Sequence, residues 1–247
     1  MNATPATQRR LLDLQAVDLT LAQLAHRRGS LPELAEIARL EERLSALSDE
    51  MVRVESEIND VAREQRRLEL DVDQVRQRAV RDQQRMDSGA VGSPRELESL
   101  QHEIRSLGRR QSNLEDQVLE LMERRELVEG TLVGMRAEAG TIGAQQAAAV
   151  AVRDAAWSSI DAEASLNGKA RDAIMAELPA DLLALYQKLR GQSGGVGAAA
   201  LRGTRCEGCR LELAPSELAR VRAASPETVL RCEECGRILV RPAESAR

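Results

Sequence analysis

Aromatic residues are nearly missing from this chain. It has one Trp, one Tyr and no Phe in 247 residues, so aromatics make up 1% of it. A compact domain of this length normally buries several large rings, and without them a thick globular core is excluded. Lysine is also scarce, with only Lys169 and Lys188 among 35 basic residues. The formal net charge is -5, which argues against binding nucleic acid or a membrane surface through bulk charge. The first residues, MNATPATQRRLLDLQAVDLT, contain no apolar run of the kind a secretion signal needs. No stretch approaches the roughly 18 apolar residues of a membrane span. A cytoplasmic protein is expected. Neither a phosphate-binding glycine loop, a dinucleotide fingerprint nor a serine elbow is present. The histidines, His26 and His102, are distant in sequence from every cysteine. The expectation is therefore no enzyme, no catalytic residue and no small-molecule substrate.

What the chain does have is leucine, alanine, arginine and glutamate in helical order. Ile37, Leu40, Leu44 and Leu47 open a seam with 3-4-3-4 spacing that runs without a slip to Ala79. Leu97, Leu100, Ile104 and Leu107 open a second, which runs to Ala139. Seams this long, with charges elsewhere, indicate a coiled coil. The fold class expected is mainly α: a long antiparallel coiled-coil hairpin over residues 33–86 and 94–140, roughly 70–80 Å long, plus a small β-rich C-terminal domain. The tip falls at about 87–94. There Ser93, Pro94 and Glu96 stand as N-cap, first helical residue and capping-box partner.

Folding back near Ser88 sets Ala79 against Leu97, Val72 against Ile104 and Val61 against Leu114, with paired residue numbers totalling 175 or 176. Gln65 then meets Gln111, and a shared amide layer is expected to pin the register. Arg125 falls opposite Met51. A first helix over about 6–28 presents Leu11, Leu14, Leu21 and Leu24 on one stripe. Gly140 and Gly143 are expected to kink the returning helix, Leu178-Pro179 to end it, and 181–190 to form a short helix in which Tyr186 packs. The domains expected are a helical domain over 1–190, a flexible glycine linker over 191–198 and a zinc ribbon over 199–247.

All four cysteines lie in the C-terminal segment as two Cys-x-x-Cys pairs, Cys206/Cys209 and Cys232/Cys235, with 22 residues between the pairs. In a reducing cytosol this spacing points to metal. Each Cys-x-x-Cys turn supplies two thiolates, and two turns complete a tetrahedral shell for one structural Zn2+. A redox dithiol would want a strand-helix pattern that is missing, and an iron–sulfur cluster is the other rival. Gly208 and Gly236 stand where the knuckles want positive φ. Thr228–Cys232 and 237–241 read as strands, and Pro215–Ala223 as a short helix.

The order of hairpin, Ser-Pro-Arg-Glu-Leu tip, ELPADLLALYQKLR helix, glycine stretch and CEGC…CEECGRILV ribbon resembles the bacterial family of coiled-coil hairpin proteins with a C-terminal four-cysteine zinc ribbon. That resemblance covers nearly the whole chain. It implies an elongated hairpin carrying a ribbon, and roles in binding protein. Some family members take part in flagellar gene control as sigma-factor chaperones, and one is linked to messenger RNA.

The function expected is a non-enzymatic adaptor or chaperone for a protein partner, one candidate being the transcription machinery. Ala90, Val91, Ser93, Pro94 and Arg95 at the tip form its docking loop. The alternative is a regulatory protein that binds RNA or DNA through Arg205, Arg210 and Arg237 of the ribbon. Against it, acidic residues are interleaved and no aromatic platform exists for base stacking.

Overall fold

The computed structural model describes residues 1–89 and 91–241. The elements in chain order are α1 (Pro5–Gly29), α2 (Pro32–Asp87), α3 (Pro94–Ala176), α4 (Ala180–Gln192), β1 (Ala198–Arg202), β2 (Arg205–Cys206), α5 (Pro215–Ala223), β3 (Leu230–Arg231) and β4 (Ile238–Val240). The chain divides into two compact units. One comprises Met1–Leu34 with Val150–Arg247, and the other Ala35–Ala149.

The second unit is the antiparallel pair of α2 and α3. Ile37, Leu40, Leu47, Val61 and Val72 on α2 are buried, as are Leu107, Leu114, Leu132 and Ile142 on α3. All belong to the two seams or continue them. Burying a Leu or Val side chain stabilises by about 1.5–3 kcal/mol, so the seam supplies the adhesion between the two helices. Gly140 and Gly143 do not break α3, which is helical through 83 residues. A glycine inside a helix costs only about 1 kcal/mol. The neighbouring Ala139 and Ile142 pack with Leu40, Leu44, Leu47 and Met135, and this anchors that stretch.

The register differs from the one expected. Four ion pairs line one flank: Arg43–Glu138, Arg124–Glu57, Arg78–Glu103 and Arg85–Glu96. In each the residue numbers total 181. On the other flank Arg136–Glu55 and Arg76–Glu115 total 191. The seam between the flanks is therefore centred on about 186. Val72 lies level with Leu114, and each α2 residue meets a position ten further along α3 than expected. The reason is at the tip. The first residues of α3, 94–99, are all exposed, with Glu96 held to α2 by Arg85 rather than by an apolar layer. Leu97, expected in the seam, is 37% exposed.

The glutamine layer accordingly does not form. Gln65 Nε2 donates to Glu69 Oε1 and Gln111 Nε2 to Glu115 Oε1, both at 2.8 Å and both along their own helices. Gln65 Oε1 is buried without a partner. Arg125 likewise turns to Glu129 on its own helix, at 2.8 Å.

In the first unit, α1 begins at Thr4, whose Oγ1 accepts from the Thr7 N–H at 3.2 Å, with Pro5 as the first helical residue. Its leucine stripe is buried at Leu11, Leu14 and Leu24. Two clamps hold it. Arg10 makes a two-pronged pair with Glu177, both contacts at 2.8 Å. Trp157 Nε1 donates to the Arg28 carbonyl at 3.1 Å, while Arg28 and Arg153 cover the indole ring at 4.4 and 4.6 Å.

By its contacts the ribbon lies in the same compact unit as α1 and α4. Its sheet has the order β2-β1-β4-β3, with β1 parallel to β4 and the outer pairs antiparallel. Side chains alternate along a strand, and here both sides are covered. Ala198, Ile238 and Val240 join Leu11, Leu14, Ile174, Leu182, Tyr186 and Leu189 in one core. Ala199, Leu201 and Leu239 join Leu213, Val221, Cys206 and Cys232 in another. That double burial explains the unbroken apolar run of β4.

Of the 191–198 stretch, Gly191 and Gln192 end α4 and Ala198 opens β1; in the turn between them Gly194 and Gly195 take φ of 64° and 87°. Arg237 donates to the carbonyls of Ser193 at 2.8 Å and Val196 at 3.0 Å, and Gln15 Nε2 donates to the Gly195 carbonyl at 3.0 Å. The N-terminal residues also pair with this region: the Ala3 N–H donates to the Glu227 carbonyl at 2.8 Å, and the Val229 N–H to that of Met1 at 3.2 Å. The expected boundary at residue 190 falls inside α4, within one compact unit.

Candidate metal centre and its setting

The four thiols come from two turns of the same construction. In the first, the Arg210 N–H donates to the Cys206 carbonyl at 2.7 Å and the Cys206 N–H to the Leu211 carbonyl at 3.0 Å. In the second, the Gly236 N–H donates to the Cys232 carbonyl at 2.8 Å and the Cys232 N–H to the Arg237 carbonyl at 3.0 Å. Each turn closes with a left-handed residue after its second cysteine: Arg210 at φ 61° and Gly236 at φ 71°. Gly236 meets the expectation of positive φ, but Gly208 does not. In the first turn Arg210 takes that conformation. Gly208 is small for another reason: a Cβ there would lie 2.8 Å from Arg237 Cδ and 2.9 Å from Ala199 Cβ.

The four Sγ atoms lie within 4.8 Å of one another. Cys206 and Cys235 are 3.9 Å apart, as are Cys209 and Cys232. Tetrahedral zinc with bonds of about 2.3 Å requires sulfur–sulfur edges of about 3.8 Å. The donor set and its spacing therefore fit one structural Zn2+ closed by protein ligands.

Metal-free, the thiols are unequal. Burial pushes Cys232 up to about 12 and also raises Cys206. At Cys235 burial acts upward too, but hydrogen bonds, led by the Arg237 backbone N–H, hold it below the ordinary thiol value. Zinc supplies the positive charge that makes four clustered thiolates tolerable.

Two neighbours of the site were not singled out from sequence. Glu217 on α5 is 2% exposed, and its Oε1 accepts the Glu233 N–H at 2.9 Å inside the second turn. It shares a face with buried Val221 four residues on, which is the signal that could have marked it. The second is a polar knot beneath the sheet. Gln15 Oε1 accepts the Gly197 N–H at 2.7 Å, and the Tyr186 hydroxyl donates to Asp18 Oδ2 at 2.6 Å. Asp18 also pairs with Arg171 at 2.7 Å and Arg190 at 3.2 Å. Tyr186 is thus more than a packing residue. Burial, with Asp18 beside it, drives its pKa upward and keeps the hydroxyl a donor. Asp18 sits in line with Leu11, Leu14 and Leu21, and a carboxylate in an apolar stripe is a sequence-level mark of such a knot.

The arginines named for nucleic acid are largely committed elsewhere. Arg237 caps the carbonyls of Ser193 and Val196. Arg241, not one of those three, donates to five carbonyls between Val221 and Thr228. Arg205 pairs with Glu207 at 3.1 Å. Arg210 is exposed, its backbone being what closes the knuckle. At the tip, Ser93, Pro94 and Arg95 are exposed and Val91 is half-buried, while Ala90 lies outside the described residues. Ser93 Oγ accepts the Glu96 N–H at 3.3 Å, as an N-cap does, but the Glu96 carboxylate goes to Arg85 at 3.0 Å instead of completing the box.

Fold and site together define a protein class: a four-cysteine zinc ribbon fused to a coiled-coil hairpin. The chain belongs to the family described as the CT398-like coiled coil hairpin domain, matched over residues 14–194, and its residues 205–239 match the C4-type zinc ribbon domain. It is 38% identical over 241 residues to an uncharacterized protein of Mycobacterium tuberculosis, covering 98% of both chains. A solved structure from Mycobacterium smegmatis is 35% identical, with a TM-score of 0.86 over 98% of this chain and 100% of that one. The CT398 protein of Chlamydia trachomatis shares the fold at 17% identity, with a TM-score of 0.74 over 96% of this chain and 98% of that one. Among the described residues no helix is long and apolar enough to cross a membrane.

Proposed function

We propose that this protein is a non-enzymatic adaptor whose hairpin tip docks a protein partner, with the zinc ribbon acting as structure. The observation that carries the reading is the start of α3, where Pro94, Arg95 and Leu97 reach solvent, Leu97 to 37%. An apolar side chain flanked by an arginine and a proline on a preformed helical turn is the kind of surface a partner helix or loop accepts. The zinc has four protein ligands and no open position, so it offers no Lewis-acid chemistry. The displaced thiol pKa values belong to metal ligands, and that of Tyr186 to the buried knot.

The test is affinity capture from the native cytosol with wild type, the double variant Arg95→Glu/Leu97→Asp, and Cys232→Ser. Any captured protein is then purified and titrated back by calorimetry. The reading expects a partner that binds directly and is lost with the tip variant. If the tip variant keeps every partner, docking at the tip is wrong. Retention abolished by nuclease treatment would favour the nucleic-acid alternative.

A further inference from the structure

The two flanks of the hairpin are unlike. The flank bearing Arg136–Glu55 and Arg76–Glu115 also carries Val52, Val80, Leu119, Met122 and Val133, which are 48–65% exposed. The opposite flank is polar apart from Leu127. In the register set by the ion pairs, Val133 is level with Val52, and Leu119 with Met122 falls midway between Val52 and Val80. Leu70 on α2, 63% exposed, has no counterpart, but the residues of this flank are otherwise placed symmetrically end to end about Leu119 and Met122.

We infer that two copies of the chain pair side by side and antiparallel through this flank. A two-fold axis at Leu119 and Met122 brings those residues of both copies together and sets Val80 of each over Val52 and Val133 of the other. A self-complementary patch of this kind is what an isologous dimer requires. Charge agrees with the orientation. Residues 74–113 carry eight arginines and five carboxylates, while 35–58 and 128–149 together carry four arginines and nine carboxylates. The antiparallel arrangement lays the first stretch, net +3, against the second, net -5. The acidic centre, 59–73 with 114–127, meets itself in either orientation, while a parallel arrangement opposes like charge at both ends as well. The pairing does not rest on the tip being a docking surface, since residues 94–99 lie outside the patch.

Sedimentation equilibrium of the zinc-loaded full chain tests it. A monomer–dimer equilibrium is expected, weakened at least tenfold by Leu119→Lys/Met122→Lys and unchanged by Leu127→Lys on the other flank, with helicity checked by circular dichroism. Mixed Val80→Cys and Val52→Cys chains should cross-link to each other on oxidation, while Val80→Cys alone should not. A monomer at every accessible concentration, equal weakening by Leu127→Lys, or self-linking of Val80→Cys would each overturn the proposal.

Discussion

The Tyr186 hydroxyl donates a 2.6 Å hydrogen bond to the carboxylate of Asp18, and both residues are almost wholly buried. That bond joins α1 to α4 where the sheet begins. Tyr186→Phe leaves Asp18 one donor short, so a loss of about 1–3 kcal/mol in unfolding free energy is expected. Asp18→Asn costs more, about 3–5 kcal/mol, because it strands Arg171 and Arg190. Urea titrations followed by circular dichroism measure both.

Zinc binding should release protons. Without metal, burial holds the Cys232 thiol at about 12, so at neutral pH it is protonated and must lose that proton to ligate. A group whose pKa falls on metal binding makes affinity rise with pH. Apparent affinity should change by about tenfold per pH unit for each proton displaced. Competition with a chelator at pH 6, 7 and 8 measures the slope, and a flat profile would show that the thiols are already ionised.

Arg210 holds a left-handed backbone at φ 61°, which costs a residue with a Cβ about 1–2 kcal/mol. Arg210→Gly should therefore stabilise the first knuckle by about 1 kcal/mol, seen as a higher melting temperature with zinc content unchanged. Gly236→Ala, at φ 71°, should shift it the other way.

Gln65 provides a test of register. Its Oε1 is buried without a partner, so Gln65→Leu should stabilise the hairpin by about 1 kcal/mol. Had Gln65 and Gln111 shared a layer, the same change would have destabilised it. A double-mutant cycle between the two should return a coupling near zero.

The seams were legible because heptad spacing is a local property: each apolar residue declares its face without reference to a partner. The cysteines were legible for the same reason, since a Cys-x-x-Cys turn delivers two ligands from one short segment. The register was not. A seam of nearly equivalent Leu, Val and Ile layers fits itself at several offsets, and the cross-chain ion pairs such as Arg78–Glu103 and Arg124–Glu57 single one out. Gly194 and Gly195 read as flexibility because composition cannot report that Arg237 and Gln15 will take the carbonyls beside them.

By itself, then, the sequence determined the helical hairpin, the zinc ligands and the turn chemistry of Ser93 and Gly236, all set by residues near one another in the chain. The tertiary structure alone decided the pairing offset, the burial of Asp18 under the sheet and the fusion of the ribbon to the helices. Those depend on which distant groups meet, and a side chain such as Arg237 shows its role only beside the backbone it caps.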